Sequence, residues 1–486
     1  GEWLGTAAEE EEMATQGDKA AKDKYAAARL VKAKQRASQA QELYSRAEAL
    51  ASAGAASAAE APALLAEAVE KYQQAARLGG SEAAFTADLH RAYSLWGTCL
   101  LQQGEAAMAE CGRTESLEAR AAAEAHLQAA TERLEEALAQ GRGLAGAGAD
   151  SDNAGAPLCG REAAALLQLG RAQSLRAANM QAEAEVLLRA GAVLEHKQRL
   201  KEALVLLRLA GGYLRDSLAA EPEQEEALRL WGSVLCAQAD ALLTSPQQMA
   251  DGSAGDEEAL RCRVTGGEKL CLALDLAPSL ANRRACSAFF VTNGAQAFAR
   301  ARDCPADSSD VYEWIAKADQ FFRAALQVEQ PHTSPDTMKH YSDLLALCAH
   351  RAPERAEYFK GASDEAYAMS KWLSSRAFTE VAGGVRRFGF LTKQGGMRAN
   401  WKRRFFLLTS RGLCYYKQPG AKCLGVVKIA DALAVAADTS EEREYSFDLL
   451  TPARRYLFTA DSEQEMLAWV ADLQLLLFPP APPPPG

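Results

Sequence analysis

The chain has 486 residues, 48% of them hydrophobic and 24% charged, which fits a soluble globular protein of about two to four domains. Its net charge of -10 is unevenly shared, +4 over residues 386–478 and -14 over the remainder. That balance excludes nucleic acid as the main partner, because phosphate backbones require a concentrated basic face, and no apolar run approaches the roughly 18 residues that span a bilayer.

Residues 1–17 form a polar leader carrying Glu9 to Glu12 and are expected to be disordered. From Asp18 to about Ser52 the chain is rich in Ala, Lys, Gln and Glu and has no Pro or Gly, which predicts one long helix. Leu30, Ala33, Ala37, Ala40 and Tyr44 give that helix a thin apolar stripe. A phrase then recurs: Ala92 to Leu100 contains Leu95-Trp96-Gly97, and Ala227 to Leu235 contains Leu230-Trp231-Gly232. Each copy follows a helical stretch that ends at a Gly or Pro turn, at Gly79-Gly80 and at Glu221-Pro222. Looser copies lie before Pro278 and Pro331.

This pattern resembles the tetratricopeptide helix pair. The small Gly is expected to let a paired helix approach, while Trp and Leu fill the groove between neighbouring pairs. The array is placed over residues 18–378, with loop inserts at 141–157 and 244–257 and a period longer than the standard one. The Trp-Gly phrase is also similar to one in plant tetratricopeptide-like proteins of the trans-Golgi and early endosome. A short flexible linker, 379–385, is expected to follow.

The next stretch inverts the sign of the chain. Arg386 to Lys428 holds eleven Lys or Arg and no Asp or Glu, and its apolar runs alternate with Gly-containing turns, as consecutive antiparallel strands do. Tyr445 to Leu450 and Arg455 to Ala460 read as further strands. Ser462 to Leu477 reads as a helix with a capping box, Ser462 with Glu465, and with Met466, Trp469, Leu473 and Leu476 at helical spacing. Residues 386–478 therefore resemble a pleckstrin-homology (PH) domain, a bent seven-strand barrel plugged by a C-terminal helix. The resulting fold class is multidomain: an all-α array followed by a small β-barrel capped by an α-helix.

The resemblance carries residues with it. Phosphoinositide-binding members have a Lys ending the first strand and a basic-x-Arg pair on the second, which here are Lys393, Lys402 and Arg404, followed by Phe405-Phe406. Lys402 and Arg404 share a strand face and a hairpin brings Lys393 beside them, so three cations meet for a phosphate cluster. Tyr416 matches a third-strand Tyr that bonds a phosphate, and Arg398, Arg403, Lys417 and Lys422 are auxiliary basic contacts. Leu424 stands where tight binders carry an Arg, which implies modest affinity. The tail 479–486 (PPAPPPPG) is read either as a plain unstructured end or as a polyproline II ligand for SH3, EVH1 or profilin-type modules.

No nucleophile elbow, phosphate-binding Gly loop, His-Glu-x-x-His or kinase motif set is present, and the six His are dispersed, so no catalytic residue, metal or cofactor is expected. Eleven Cys lie singly with no Cys-x-x-Cys pair, as reduced cytosolic thiols do. The reading is a non-enzymatic cytoplasmic adaptor. Its barrel holds it reversibly on phosphoinositide-containing or other anionic membranes, at the plasma membrane or endosome/trans-Golgi, while its array binds an unidentified protein or peptide. The alternative is a scaffold whose barrel docks an acidic protein segment.

Overall fold

The structure is a computed structural model that describes residues 19–53, 59–79, 85–114, 116–146, 160–244, 252–305, 308–395, 400–437 and 443–478. The leader 1–17, the tail 479–486, Arg398 and the middle of both inserts lie outside the described residues. Contacts divide the chain into two units, Gly1–Pro278 and Ser279–Gly486.

Among its described residues the first unit holds four antiparallel helix pairs: α1 (Lys19–Ser52) with α2 (Ala61–Gly79), α3 (Thr86–Thr114) with α4 (Leu117–Gly146), α5 (Gly160–Arg189) with α6 (Val193–Ala220), and α7 (Glu225–Thr244) with α8 (Gly252–Leu276). The thin stripe of α1 buries Ala33, Ala40 and Ala47, one every seven residues, whereas Leu30 is 49% exposed. Small residues let α2 come close, and Leu65, Val69 and Tyr72 fill the contact from its side.

Gly97 and Gly232 act as the repeated phrase implies. A Cβ at Gly97 would stand 2.6 Å from Leu134 Cγ of α4, and one at Gly232 would stand 2.8 Å from the Gly266 carbonyl oxygen of α8. Trp96 turns back onto the preceding pair, beside Tyr44 and Tyr72, with the Arg133 guanidinium 4.8 Å from its ring. The helices differ from the standard repeat in length: α4 alone has 30 residues, against about 34 for an entire tetratricopeptide helix pair. Both inserts are also shorter than expected, because α4 continues through Gly146 and α8 starts at Gly252. Among the described residues no helix is long and apolar enough to cross a membrane.

The second unit holds two more pairs, α9 (Leu280–Asp303) with α10 (Asp310–Glu329) and α11 (Pro335–Arg351) with α12 (Ala356–Leu373), then short α13 (Arg376–Val381). The expected linker is not a free joint. α13 and a 3-10 turn, Ala382–Gly384, occupy it, and the first strand starts at buried Val385.

The strands are β1 (Val385–Gln394), β2 (Trp401–Thr409), β3 (Gly412–Tyr416), β4 (Cys423–Val427), β5 (Ala434–Ala437), β6 (Ser446–Leu450) and β7 (Arg455–Thr459). They form one antiparallel sheet in the order β4-β3-β2-β1-β7-β6-β5, closed by α14 (Glu463–Leu477). The Ser462 hydroxyl caps α14 by accepting from the Glu465 amide at 3.2 Å, and Trp469, Met466 and Leu473 plug the interior against Phe406, Phe447 and Phe458.

Alternation along β2 sorts its residues between two cores. Phe406 and Leu408 point into the barrel, while Phe405 and Leu407 point out and join Phe388, Val385, Met369, Leu373 and Trp372. The Trp372 ring lies 5.1 Å from Phe405 and 5.6 Å from Phe388, both edge to face. Gln330 clasps β1 with its amide, donating to the Phe388 carbonyl at 3.1 Å. The barrel is thus fixed to the helices of its own unit by a buried aromatic seam.

Candidate functional site

The hairpin of β1 and β2 sets Lys393 opposite Lys402 and Leu391 opposite Arg404. Lys393, Lys402 and Arg404 therefore share the inward face at the strand ends, above the Phe406 and Leu391 core. Lys402 is exposed, Arg404 half-buried, and Lys393 only 8% exposed. Lys393 Nζ donates to the Gln394 carbonyl at 3.2 Å, and Arg404 donates to the Arg403 carbonyl at 2.7 Å. Among the described residues none of these three cations forms an ion pair with a carboxylate. Burial, then Arg454, then Arg404 hold the Lys393 pKa below the usual lysine value.

Three residues missing from the expected set complete the mouth. Tyr415 and Tyr456 flank Lys393, with ring centres 5.2 Å and 5.7 Å from its Nζ. Arg454, in the β6–β7 turn, lies over Tyr456 at 3.9 Å. That turn is held by the Thr451 hydroxyl, which accepts from the Arg454 amide at 3.2 Å. The sequence signal for it was Arg454-Arg455 between two strand-like runs, the same strand-end placement that marked the other cations.

Tyr416 is a correction. It pairs with Phe405 on the outward face, packs beside the Trp372 cluster, and cannot share a ligand with Lys393; Tyr415, one residue earlier, occupies the inward face. Arg403 is a second correction, for the same reason of alternation. It points outward and is engaged on both sides, donating from Nε to both Glu365 oxygens at 2.8 Å and from Nη1 and Nη2 to Asp461 at 2.7 Å. Lys417 and Lys422 are exposed in the β3–β4 turn.

A fixed, partly desolvated lysine beside two arginines and an exposed lysine attracts clustered negative charge, and each guanidinium can bind a phosphate through two nitrogens. Among the described residues no group of three or more His, Cys, Asp or Glu could hold a metal ion.

Residues 385–478 match the family model described as PH domain. The same region is 33% identical over 87 residues to a RAC family serine/threonine-protein kinase homolog of Dictyostelium discoideum, covering 18% of this chain and 20% of that protein. It is 31% identical over 91 residues to human pleckstrin homology domain-containing family A member 2, covering 18% and 21%. The match thus spans about a fifth of the length of these curated relatives. Among solved structures, a crystal structure of the C-terminal PH domain of pleckstrin in complex with D-myo-Ins(1,2,3,4,5)P5 is 29% identical, covering 19% of this chain and 97% of that one, at a TM-score of 0.17. The C-terminal segment of this chain is a PH domain, preceded by an array of paired helices.

Proposed function

We propose that this protein is a non-enzymatic adaptor whose PH domain binds anionic, phosphoinositide-containing membrane surfaces through Lys393, Lys402, Arg404 and Arg454, while its tetratricopeptide-like helix pairs bind a protein partner. One observation carries the reading: three mouth cations have no carboxylate partner among the described residues, while Arg403 between two of them is fully paired on the opposite face. An isolated attraction of roughly 1 kcal/mol per basic residue near an anionic leaflet gives reversible attachment. A single weak domain then needs a second contact for stable residence.

Co-sedimentation of the full chain with phosphatidylcholine vesicles, with and without phosphoinositide, tests it. The parent chain pellets with the charged vesicles and a Lys402→Ala, Arg404→Ala variant stays in solution. Equal recovery of both forms, or of neither, removes the lipid reading. An acidic peptide that binds the parent alone would instead support docking of a protein segment.

A further inference from the structure

We propose that α12 supplies a second contact with the same anionic bilayer, through a rim of aromatic and arginine side chains that it shares with the start of β2. This rests on the reading that the mouth faces lipid.

The alignment of the two elements carries it. Trp372 meets Phe405, and Glu365, seven residues earlier on α12, meets Arg403, two residues earlier on β2. Seven helical residues return to the same face, so the next position toward the mouth is Tyr358, and the next outward residue of β2 is Trp401. Each helical step advances about 10 Å and each strand step about 7 Å, so Tyr358 overshoots the strand and stands at the rim. It is 58% exposed, and Gly361 between it and Glu365 leaves open space.

Both rim aromatics are topped by arginine. Arg355 lies 5.3 Å from the Tyr358 ring, and Arg443 of the β5–β6 connection lies 4.7 Å from Trp401. Glu354, Glu357 and Lys360 are exposed along the same stretch, and Lys360, two residues on, lies about 200° around the helix from Tyr358. Amphipathic rings under guanidinium groups suit the headgroup layer, where the ring is half wet and the cation meets phosphate.

Vesicle co-sedimentation and titration with a soluble inositol polyphosphate, both on the full chain, separate the two contacts. An Arg355→Ser, Tyr358→Ser variant should lose at least about fivefold in partition onto anionic vesicles, the factor one basic residue contributes there, and keep the parent's affinity for the soluble ligand. Tyr358→Trp should retain vesicle binding. Parent-like partition of the double serine variant overturns the helix contact while leaving the mouth intact. Undiminished vesicle binding by Lys402→Ala, Arg404→Ala overturns the mouth and the rim proposal with it.

Discussion

Glu365 of α12 and Arg403 of β2 meet at 2.8 Å across the seam between helices and barrel, and Asp461 closes on the same guanidinium from the other side. The contact engages the one of three consecutive basic residues that strand alternation turns away from the binding face. Burial pushes the Glu365 carboxyl up from its usual value, against the pull of Arg403. Its charge is therefore a net cost where it sits. Glu365→Gln should be nearly neutral in urea unfolding, whereas Arg403→Ala, which strands two carboxylates, should cost about 1–2 kcal/mol given that roughly a third of the side chain stays in water. A carboxyl with a raised folded pKa binds its proton more tightly when folded, so Glu365 contributes stability that is lost as pH rises from 4.5 through the raised value, and Glu365→Gln should lack that contribution relative to the parent.

Trp372 is the largest shared side chain of the seam. Trp372→Ala should cost about 3–5 kcal/mol in the unfolding of residues 279–478. A fragment of residues 385–478 alone exposes Phe388, Phe405 and Leu407 and should melt lower or self-associate, as gel filtration and calorimetry would register.

Lys393 trades stability for attraction. Its folded pKa lies below 10.5, so its charged form is a cost that fades as pH rises through that window, and stability should increase there. Anion binding moves oppositely, weakening as the same proton leaves. Lys393→Met should raise the urea midpoint at neutral pH and reduce vesicle binding, while Lys393→Arg should hold its affinity to higher pH.

Gly232 and Gly97 differ in what confronts an added methyl. At Gly232 the obstacle includes a backbone oxygen 2.8 Å away, which cannot rotate aside, while at Gly97 the nearest atoms belong to the Leu134 side chain. Gly232→Ala should destabilise by about 1–3 kcal/mol, and more than Gly97→Ala, in thermal unfolding.

The barrel was legible because short apolar runs, Gly turns and the Ser462 capping box all agree over residues 386–478. Strand β5 was not, since Ala434–Ala437 carries almost no β-branched signal and gains its place by pairing with β6. The cations of β2 were legible as a cluster, yet which ones face a ligand depended on parity: Lys402 and Arg404 fall inward, Arg403 and Tyr416 outward. Assigning Tyr416 to the mouth required a count across the β2–β3 turn that differs by one residue from the pairing of Phe406 with Tyr415. The seam was invisible because it joins residues far apart in the chain, Glu365 with Arg403 and Gln330 with Phe388. Helix pairing was announced by Gly97 and Gly232, whereas helix length was not, since Ala-rich sequence extends helices through stretches that read as loops.

Calorimetric titration of the full chain with a soluble inositol polyphosphate bears most directly on the mouth as an anion receptor. The parent and Tyr416→Phe should both show saturable binding that weakens with salt, and Lys402→Ala, Arg404→Ala should show none. A parent that gives no saturable heat, or a double variant that binds as tightly as the parent, would contradict it.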